Sequence, residues 1–536
     1  MRLTSERGRD AAWCAGVAAL SLAYTAIYFA AGFNTADDGN YAQIAYELFL
    51  GRAPADLAFN YGLAWFQAGT VLFRMFGVDY DLVRAVFFGS IICTNVLLFA
   101  TIARLTGHRG FAAAATVAPA LAPAFPATAF YGLCILLNAA AQIRLVRGPA
   151  TPRNAALAGA ALAVTFLIRP DFGYLFALPL FAVAVLTVPR GRMGDNLVGA
   201  ALGFVAVMLP YAAIAAAGGY LELVAGQTLA YPAMMANMLI AGLSGTAQSA
   251  ASAGTFLARP SLSDMFAADG DAATFAALVY LPVIGLLGYV VLAVARIVRS
   301  HRDVRGSVIA EAAVVLTAGA AAFPHYFAYR PDMPHVANFM AGYAVLAAAL
   351  VWPLLRAVRE SAGLRRAGTG LAAAGVAAHL GLYAWAGVRS PEAGGIAIAR
   401  DRTERFDAGN GVAARVRTDE KQVLEFLRAT IAANSKPGDA IVCLPYCPGV
   451  AFMTERRMLL RHFFVDDSFP TREPDWLAHA IELTRRERPP VVIVMDWAIN
   501  GTEISRFKNW APEYMALLEE IAREKVAYPG LTVYLL

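Results

Sequence analysis

Apolar residues are grouped in blocks along the first 390 positions, and short polar turns separate one block from the next. Each block is roughly 15 to 25 residues long, which is the length that an α-helix needs to cross a bilayer. The pattern therefore predicts a mainly α, polytopic membrane domain over residues 1–390 with about eleven spans. The spans are expected at residues 11–33, 81–103, 111–126, 128–146, 154–168, 172–188, 195–217, 272–297, 308–323, 335–354 and 367–388.

Arginine is concentrated in the turns that lie on the same side of the predicted bundle as the N-terminus. Because basic turns stay in the cytoplasm, this side is predicted to be cytoplasmic. An odd number of spans then places the residues after about position 389 on the outer face. The chain is therefore expected in the inner (plasma) membrane, with a periplasmic or extracellular C-terminal domain. The arginines that mark the cytoplasmic side are Arg104, Arg109, Arg144, Arg147, Arg153, Arg190, Arg192, Arg296, Arg299, Arg302, Arg305, Arg356, Arg359, Arg365 and Arg366.

Two segments between the spans are too long to be simple turns. Residues 34–80 form the first outer loop, and apolar positions at helical spacing within it, such as Tyr41 and Ile44, predict helices that lie in the membrane interface. The alternative makes residues 59–76 a further span, although that segment is short for one and would break the alternation of basic turns. Residues 218–271 are expected to form a second outer loop that is partly ordered and contains some helix.

From about residue 400 the composition becomes that of a soluble protein, and apolar strands alternate with amphipathic helices. Such alternation predicts a small α/β domain over residues 400–536. Cys443 and Cys447 are four residues apart there, so a local disulfide is one alternative to two free thiols. Four side chains that could ligate a metal lack a recognisable spacing, so no metal site and no cofactor are predicted, and a divalent cation stays an open alternative. They are His462, Asp466, Asp467 and His479.

Composition excludes several classes of function. With 59% hydrophobic and 15% charged residues, the chain is more apolar than a soluble enzyme, for which roughly 45–50% and about 25% are usual. The net charge of +5 does not predict a nucleic-acid partner, because the arginines lie in short turns rather than along one polar face. Membrane lipids are the expected surroundings of the bundle.

Three clusters of charged residues interrupt the apolar pattern at the ends of spans, and the predicted topology places all three on the outer face. A tight turn with a capping aspartate is a simple alternative explanation for the first two, whereas the third holds more ionisable groups than a turn requires. The clusters are Asp37-Asp38, Arg169-Pro170-Asp171, and residues 324–335 with His325, Arg330, Asp332 and His335.

The three clusters together contain the groups that phosphate-dependent transfer chemistry needs. A carboxylate can act as a general base, and arginine or histidine can bind a phosphate. Arginine suits a phosphate because its planar fork matches two oxygens at once. A lipid-linked phosphate must enter sideways from the bilayer, so a site at the outer ends of several spans would suit such a substrate.

The order of motifs after the first span carries a family resemblance. The motifs are Asp37-Asp38-Gly39-Asn40-Tyr41-Ala42-Gln43-Ile44-Ala45, then Gly51-Arg52, then Tyr61-Gly62, and then Phe76-Gly77 leading to Arg84. This order resembles the GT-C class of polyprenyl-phosphate-sugar-dependent glycosyltransferases, which contains protein O-mannosyltransferases and bacterial lipid A aminoarabinose transferases. The resemblance covers the topology of the whole chain, including an outer α/β tail. The acidic motif is short, and the ordered combination is the more specific signal.

The resemblance implies an inverting transfer, in which a carboxylate of the first outer loop activates an acceptor hydroxyl that displaces a lipid phosphate from the sugar. It implies that Asp37 is the catalytic residue, with Asp38 as the second choice. The implied partners are a polyprenyl-phosphate sugar donor and an envelope glycan, lipid or protein acceptor. From the chemistry and topology of the clusters, the donor phosphate is expected to be bound by Arg330, His325, His335 and Arg169, and the substrates by Tyr41, Tyr61, Asp171 and Asp332.

Two other classes of function stay open on the sequence. A transporter or flippase for a lipid-linked or anionic substrate would also place charges among membrane helices, but usually near the bilayer midplane and in repeated halves. The chain shows no such repeat. A non-catalytic envelope-assembly protein would use the outer domain as a binding module, and it leaves the Asp37-Asp38 pair without a role.

Overall fold

The computed structural model describes residues 2–123, 126–149, 151–187, 193–243, 260–329, 331–360, 363–390, 393–499 and 501–536. Helices dominate the chain, and a small sheet lies near its C-terminus. The predicted fold class, a mainly α membrane bundle followed by a small α/β domain, is confirmed.

Two short helices occupy the segment after the first long helix. The first four helices are α1 (Arg2–Tyr28), α2 (Asp37–Phe49), α3 (Leu63–Phe76) and α4 (Tyr80–Thr106). With 13 and 14 residues, α2 and α3 are too short to cross a bilayer. Most of α2 is buried, whereas α3 leaves Val71, Met75 and Phe76 more than half exposed. An exposed apolar stripe of this kind is what an interfacial helix presents to lipid.

The next five helices include a break of a single residue. They are α5 (Arg109–Leu121), α6 (Phe130–Arg147), α7 (Pro152–Ile168), α8 (Pro170–Leu186) and α9 (Met193–Ala217). Proline is tolerated in the first turn of a helix, but it drives the residue before it out of the helical region. Arg169, which precedes Pro170, accordingly has φ −143° and ψ 83° and separates α7 from α8.

Five more helices complete the bundle. They are α10 (Leu221–Leu243), α11 (Gly270–Arg299), α12 (Arg302–Ala320), α13 (Met333–Glu360) and α14 (Gly363–Arg389). A π-helical turn, Pro324–Tyr329, follows α12 and carries His325. Residues 218–271 contain more helix than the sequence suggested, because α10 alone has 23 residues.

Eight helices of the described residues are long and apolar enough to cross a membrane, so the chain is a multi-pass membrane protein. The other three predicted spans coincide with α5, α7 and α8, which have 13, 17 and 17 residues. These three are shorter than the usual span of about 20 residues. Each of the eleven predicted spans therefore corresponds to a helix, and the breaks between helices shorten three of them. The eight long helices are α1, α4, α6, α9, α11, α12, α13 and α14.

The C-terminal domain is built on a mixed five-stranded sheet, preceded by α15 (Gly395–Asp401) and the antiparallel pair β1 (Glu404–Asp407) and β2 (Ala413–Val416). The strands of the sheet are β3 (Ala440–Leu444), β4 (Arg457–Met458), β5 (Val491–Met495), β6 (Glu524–Tyr528) and β7 (Leu531–Leu535). Their order is β4-β3-β5-β7-β6, where β4, β3 and β5 run parallel and β7 is antiparallel to both neighbours. The central strands β3 and β5 are continuous apolar runs because both of their faces are covered.

The helices of this domain connect and cover the strands. They are α16 (Thr418–Asn434), α17 (Pro448–Met453), α18 (Phe469–Arg472), α19 (Trp476–Glu487), α20 (Phe507–Trp510) and α21 (Pro512–Ile521). Cys443 in β3 and Cys447 just before α17 form a disulfide. Of the two alternatives that the cysteine spacing left open, the structure therefore contains the disulfide.

The C-terminal domain packs directly on α2 through two glycines. A Cβ atom on Gly39 would lie 2.4 Å from the Cα atom of Gly449 in α17. The Gly449 backbone N–H also donates a hydrogen bond to the Thr35 carbonyl at 2.8 Å. Only residues without a side chain allow two backbones to approach this closely, so the position of α2 against α17 depends on both glycines.

A buried carboxylate makes the second contact between α2 and the domain. Glu47 has no solvent exposure, and it accepts hydrogen bonds from the Met458 backbone N–H at 2.7 Å, Gln43 Nε2 at 3.0 Å and Arg457 Nε at 3.2 Å. A carboxylate is stable in such a place only when it is paired and hydrogen-bonded. Glu47 therefore fastens α2 to β4.

We expect Glu47→Ala to destabilise the folded protein strongly. Removing this buried acceptor leaves the Met458 N–H and the Gln43 amide without this partner, and each buried unsatisfied group costs about 1–3 kcal/mol. The measurement is thermal unfolding of the purified full chain in detergent. Glu520→Ala is the control, because the pair between Glu520 and Arg485, at 3.1 Å, is exposed, and such pairs contribute about 1 kcal/mol or less. Equal shifts in the two variants would contradict the role given to Glu47.

Candidate active site

Asp37 and Asp38 lie in the first turn of α2 and are partly exposed. The turn before the helix is closed by Asn34, whose side-chain oxygen accepts hydrogen bonds from the backbone N–H groups of Ala36 at 2.8 Å and Asp37 at 3.3 Å. Neither aspartate is therefore needed as a cap, which was the simple alternative explanation of the pair. Both carboxylates stay available at a helix N-terminus, where the helix dipole favours negative charge.

Each aspartate accepts a hydrogen bond from a different buried tyrosine. The Tyr446 hydroxyl donates to Asp37 Oδ1 at 3.0 Å, and the Tyr80 hydroxyl donates to Asp38 Oδ2 at 3.2 Å. Tyr446 lies between β3 and α17, whereas Tyr80 is the first residue of α4. Burial and then the charge of Asp37 raise the pKa of Tyr446 well above its ordinary value, so its hydroxyl keeps its proton and acts as the donor.

The surroundings of Asp38 favour its protonated form. Burial raises the pKa of Asp38 to about 7, and the negative charge of Asp37 adds to this rise. The hydrogen bond from Tyr80 and the positive charges of Arg84 and Arg402 oppose it. Asp38 is therefore protonated more readily than an ordinary carboxylate.

Arg84 holds this side of the site together. Its guanidinium donates hydrogen bonds to the carbonyl oxygens of Gly32 at 2.9 Å and Ala413 at 2.7 Å. It also lies over the ring of Tyr80, 4.5 Å from the ring centre. The chain after α1, the start of α4 and strand β2 thus meet at one buried cation, which keeps Tyr80 within reach of Asp38.

A second polar centre is buried where the break before α8 meets the π-helical turn. Arg169 donates from Nε to Asp171 Oδ1 at 2.9 Å and from Nη1 to the Tyr131 hydroxyl at 2.6 Å. Arg169 Nη2 lies 2.6 Å from His325 Nε2, which is 3.4 Å from Asp171 Oδ2. Arg169, Asp171 and His325 are 1%, 6% and 4% exposed. The fold therefore brings the second sequence cluster into contact with His325 of the third, and we name these three residues with Tyr131 the arginine centre.

Aromatic rings surround the guanidinium of the arginine centre. Its central carbon lies 4.2 Å from the ring centre of Tyr131, 5.2 Å from that of Phe172 and 5.4 Å from that of Tyr61. Such stacking stabilises a cation that has lost its water. All three guanidinium nitrogens of Arg169 contact protein atoms, so its predicted direct contact with a phosphate stays a prediction.

Tyr61 connects the arginine centre to the aspartates. The Gly62 backbone N–H donates to the Ile168 carbonyl at 3.0 Å, and a Cβ atom on Gly62 would lie 2.1 Å from a backbone oxygen of α7. This close approach, which requires glycine, places Tyr61 over the guanidinium. Tyr61 also contributes, after burial and Asp37, to the raised pKa of Tyr446. Tyr61 thus interacts with a residue of each polar centre.

Four predicted site residues remain, namely Asp332, His335, Tyr41 and Arg330. Asp332 caps α13, since its Oδ1 accepts from the His335 backbone N–H at 3.0 Å and lies 2.5 Å from His335 Nδ1. Tyr41 is 2% exposed and packs in the aromatic core between α2, α3 and α4. Arg330 lies outside the described residues. The substrate or phosphate contacts expected of these four residues stay predictions.

Three tyrosines of the site were not singled out from the sequence. Tyr131 lies in an apolar block, and Tyr446 is 409 positions away from the aspartate that it contacts, so no local pattern marks either residue. Tyr80 precedes Arg84 by four positions, and residues at this spacing share a helix face. For these three tyrosines, the spacing of Tyr80 and Arg84 was the one sequence signal that could have pointed to a role in the site. Within the described ranges, no group of three or more His, Cys, Asp or Glu side chains is arranged to hold a metal ion.

Comparison with known proteins identifies the fold through structure rather than sequence. No protein-family model and no curated protein sequence matches the chain. ArnT from Cupriavidus metallidurans bound to undecaprenyl phosphate superposes with a TM-score of 0.53 at 13% identity, and its apo state with 0.52 at 14%; each match covers 98% of both chains. The archaeal oligosaccharyltransferase AglB from Archaeoglobus fulgidus, in complex with an inhibitory peptide and a dolichol-phosphate, has a TM-score of 0.52 at 11% identity. That match covers 97% of this chain and 74% of AglB.

ArnT is a lipid A aminoarabinose transferase, and ArnT and AglB are both GT-C glycosyltransferases. The matches extend over nearly the whole of this chain, so they include the membrane bundle and the C-terminal domain. The resemblance found in the motif order is confirmed at the level of structure: the chain has the fold of the GT-C glycosyltransferases.

Proposed function

We propose that the protein is an integral membrane glycosyltransferase that moves a sugar from a polyprenyl-phosphate donor to a hydroxyl group of an envelope glycan, lipid or protein, with inversion. The observation that carries the proposal is a pair of carboxylates that are not used as helix caps, together with the buried arginine centre, within a GT-C fold. The pair supplies a base, and Arg169 of the arginine centre supplies a guanidinium group, which is paired with Asp171 in this structure.

We assign the role of general base to Asp37. Successive residues on a helix point about 100° apart, and Asp38 is turned toward Tyr80 while Asp37 is turned toward Tyr446. Tyr61, which contributes to the raised pKa of Tyr446, lies over the guanidinium of the arginine centre. The sugar would then lie between Asp37 and the arginine centre, with the acceptor hydroxyl on the Asp37 side and the leaving phosphate on the opposite side. Asp38, with a pKa of about 7, is partly protonated at neutral pH, so the pair carries less than two full negative charges.

The positive charge of the site supports a phosphate-linked donor. The chain has no lysine before Lys421, so arginine and histidine must supply any phosphate-binding charge in the bundle. The proposed phosphate-binding residues are Arg330, His325, His335 and Arg169, of which the structure brings Arg169 and His325 into contact. ArnT was solved with undecaprenyl phosphate and AglB with a dolichol-phosphate, which supports a polyprenyl phosphate as the lipid of this donor.

The proposed reaction is a single displacement. The acceptor O–H gives its proton to the Asp37 carboxylate as its oxygen forms a bond to the anomeric carbon. The bond from that carbon to the phosphate oxygen breaks, and the bonding electron pair leaves with the lipid phosphate, whose charge the cations stabilise. Attack from the face opposite to the leaving phosphate inverts the anomeric centre. Tyr61, which lies over the guanidinium, and Asp171 of the arginine centre are the residues proposed to contact the sugar.

The same proposal assigns an orientation in the membrane. The arginine-rich turns are proposed to be cytoplasmic together with the N-terminus. The aspartates, the arginine centre and the C-terminal domain then lie on the periplasmic or extracellular face of the plasma membrane. On that face a lipid-linked donor and an envelope acceptor can both reach the site.

We expect Asp37→Asn to lower sugar transfer by about 10²–10⁴-fold, because the amide cannot accept a proton. Mass spectrometry of envelope glycans, lipids and proteins, with and without the wild-type chain, defines the product, whose amount is then measured for each variant. Asp56→Asn is the control, since Asp56 is an exposed aspartate in the same segment and its replacement should leave the product unchanged. Wild-type product levels from Asp37→Asn would refute the assigned base. If cells without the protein kept every glycan but failed to move a lipid across the membrane, the result would favour a flippase.

Arg169→Lys tests the arginine centre. Lysine keeps the charge, but it cannot form the three directed contacts that the guanidinium makes with Asp171, Tyr131 and His325. Misplacing these groups should lower kcat/KM for the donor by about 10²-fold. Arg296→Lys is the control. Arg296 forms an ion pair with Glu311, with 2.9 Å between the two side chains, and this pair does not include the aspartates. Kinetic constants like those of the wild type would remove Arg169 from the site.

Asp38→Asn should change how stability depends on pH. The pKa of Asp38 in the folded protein, about 7, lies above the ordinary carboxyl value of 3.8, so the folded state binds this proton more tightly than the unfolded chain. The resulting stability is complete below about pH 4 and is lost as the pH rises through about 7. The melting temperature in detergent should therefore fall less steeply between about pH 5 and pH 8 in Asp38→Asn than in the wild type or in Asp56→Asn. Parallel curves would contradict the assignment.

A further inference from the structure

We propose that Tyr446 is a positioning residue for the reaction, because it orients the Asp37 carboxylate toward the acceptor from the C-terminal domain. This inference rests on the proposed function. It means that the active site is incomplete without the C-terminal domain, which supplies a hydrogen-bond donor to a base carried by the membrane part of the chain. The domain would then act in the chemistry itself, in addition to any binding role.

The hydrogen bond is specific to the hydroxyl group of Tyr446. The hydroxyl donates to Asp37 Oδ1 at 3.0 Å, and within the described ranges Asp37 is its single hydrogen-bond partner. The ring is 7% exposed and packs edge-on against Phe464, with 4.9 Å between ring centres. The ring therefore contributes to packing, while the hydroxyl is directed at the carboxylate. A phenylalanine would keep the first contact and lose the second.

The loop that carries Tyr446 is held on both sides. The disulfide between Cys443 and Cys447 closes the chain around it. The carbonyl of Pro445 accepts a hydrogen bond from the Val465 backbone N–H at 3.0 Å. The residue before Tyr446 is thus held through its backbone carbonyl and the residue after it through its side-chain disulfide, so the direction of the tyrosine is set before any substrate binds.

The partner of Tyr446 is held just as firmly. Gly39 and Gly449 meet backbone to backbone two positions after Asp37 and three positions after Tyr446. Gly449 also donates to the Thr35 carbonyl at 2.8 Å, two positions before Asp37. The tyrosine and the aspartate therefore lie next to the closest contact between α2 and the C-terminal domain. Their separation cannot change unless that contact opens.

The hydrogen bond has a chemical consequence for a general base. A donor on Oδ1 fixes the rotation of the carboxylate and leaves Oδ2, which has no other hydrogen-bond partner among the described residues, for the acceptor hydroxyl. A base acts efficiently only when it is within about 2.6–3.2 Å of the proton that it removes. Without the donor, the carboxylate of Asp37 would rotate freely at the partly exposed start of α2, and fewer encounters would have the reactive geometry.

The test compares Tyr446→Phe with Tyr534→Phe in the full chain. Tyr534 lies in the same domain, and its hydroxyl donates to Glu519 at the same distance, 3.0 Å. It belongs to β7, which β5 separates from β3, and its hydroxyl has no contact with Asp37. We expect Tyr446→Phe to lower kcat by about 10- to 100-fold, the range that corresponds to one hydrogen bond to a charged group. The KM values for donor and acceptor should stay within about twofold, since a positioning residue acts through Asp37 in the chemical step. Tyr534→Phe should leave all kinetic constants unchanged.

A second measurement examines the contact independently of turnover. Melting temperatures of Tyr446→Phe, Asp37→Ala and the double variant form a cycle. Alanine removes the oxygen that accepts the hydrogen bond, and non-additive shifts are expected because the two groups touch. Additive shifts, or a kcat of Tyr446→Phe equal to that of the wild type, would overturn the role of Tyr446. If Asp37→Asn is inactive in that case, the proposed function stands and only the present inference fails. Full activity of Asp37→Asn would instead refute the base, and the role of Tyr446 with it.

Discussion

The contact between α2 and the C-terminal domain is the constraint on which the candidate site depends. It combines a glycine-on-glycine approach, Gly39 against Gly449, with the fully buried carboxylate of Glu47. Neither feature tolerates much change, because the first has no space for a Cβ atom and the second needs every one of its hydrogen bonds. Since the aspartates lie at the start of α2 and Tyr446 lies beside α17, the same contact sets the geometry of the base. A soluble-type domain and a membrane bundle thereby share one site.

The arginine centre shows how the fold keeps a cation away from water. Arg169 is 1% exposed, and a charge in such a place is costly unless it is paired and hydrogen-bonded. Asp171 balances the charge of the guanidinium. Tyr131 and His325 form hydrogen bonds with its two terminal nitrogens, and aromatic rings cover its faces. Pro170 makes the arrangement possible because it forces Arg169 out of the helix between α7 and α8. The break between α7 and α8 looks like an ordinary turn in the sequence, but it places Arg169 at the middle of a buried polar cluster.

Much of the architecture could be predicted because membrane helices follow simple rules of length and polarity. The eleven predicted spans coincide with helices, although α5, α7 and α8 are shorter than a full span. In the candidate site, the Asp37-Asp38 pair and the Arg169-Pro170-Asp171 turn were evident as charges that interrupt apolar sequence. The α10 helix was underestimated because its apolar run contains a proline and several polar residues that resemble a loop.

The sequence by itself determined which segments are apolar enough to be membrane helices, where charged residues interrupt them, and the order of motifs that resembles the GT-C class. These features depend on composition and spacing within about 20 to 30 residues, so they can be read locally. Only the tertiary structure decided that Arg169 meets His325, 156 positions later, and that Asp37 meets Tyr446, 409 positions later. Such contacts depend on how helices and domains pack, and packing is set by close approaches such as Gly39 to Gly449 and Gly62 to α7. No local pattern encodes the partner of a side chain that is hundreds of residues away.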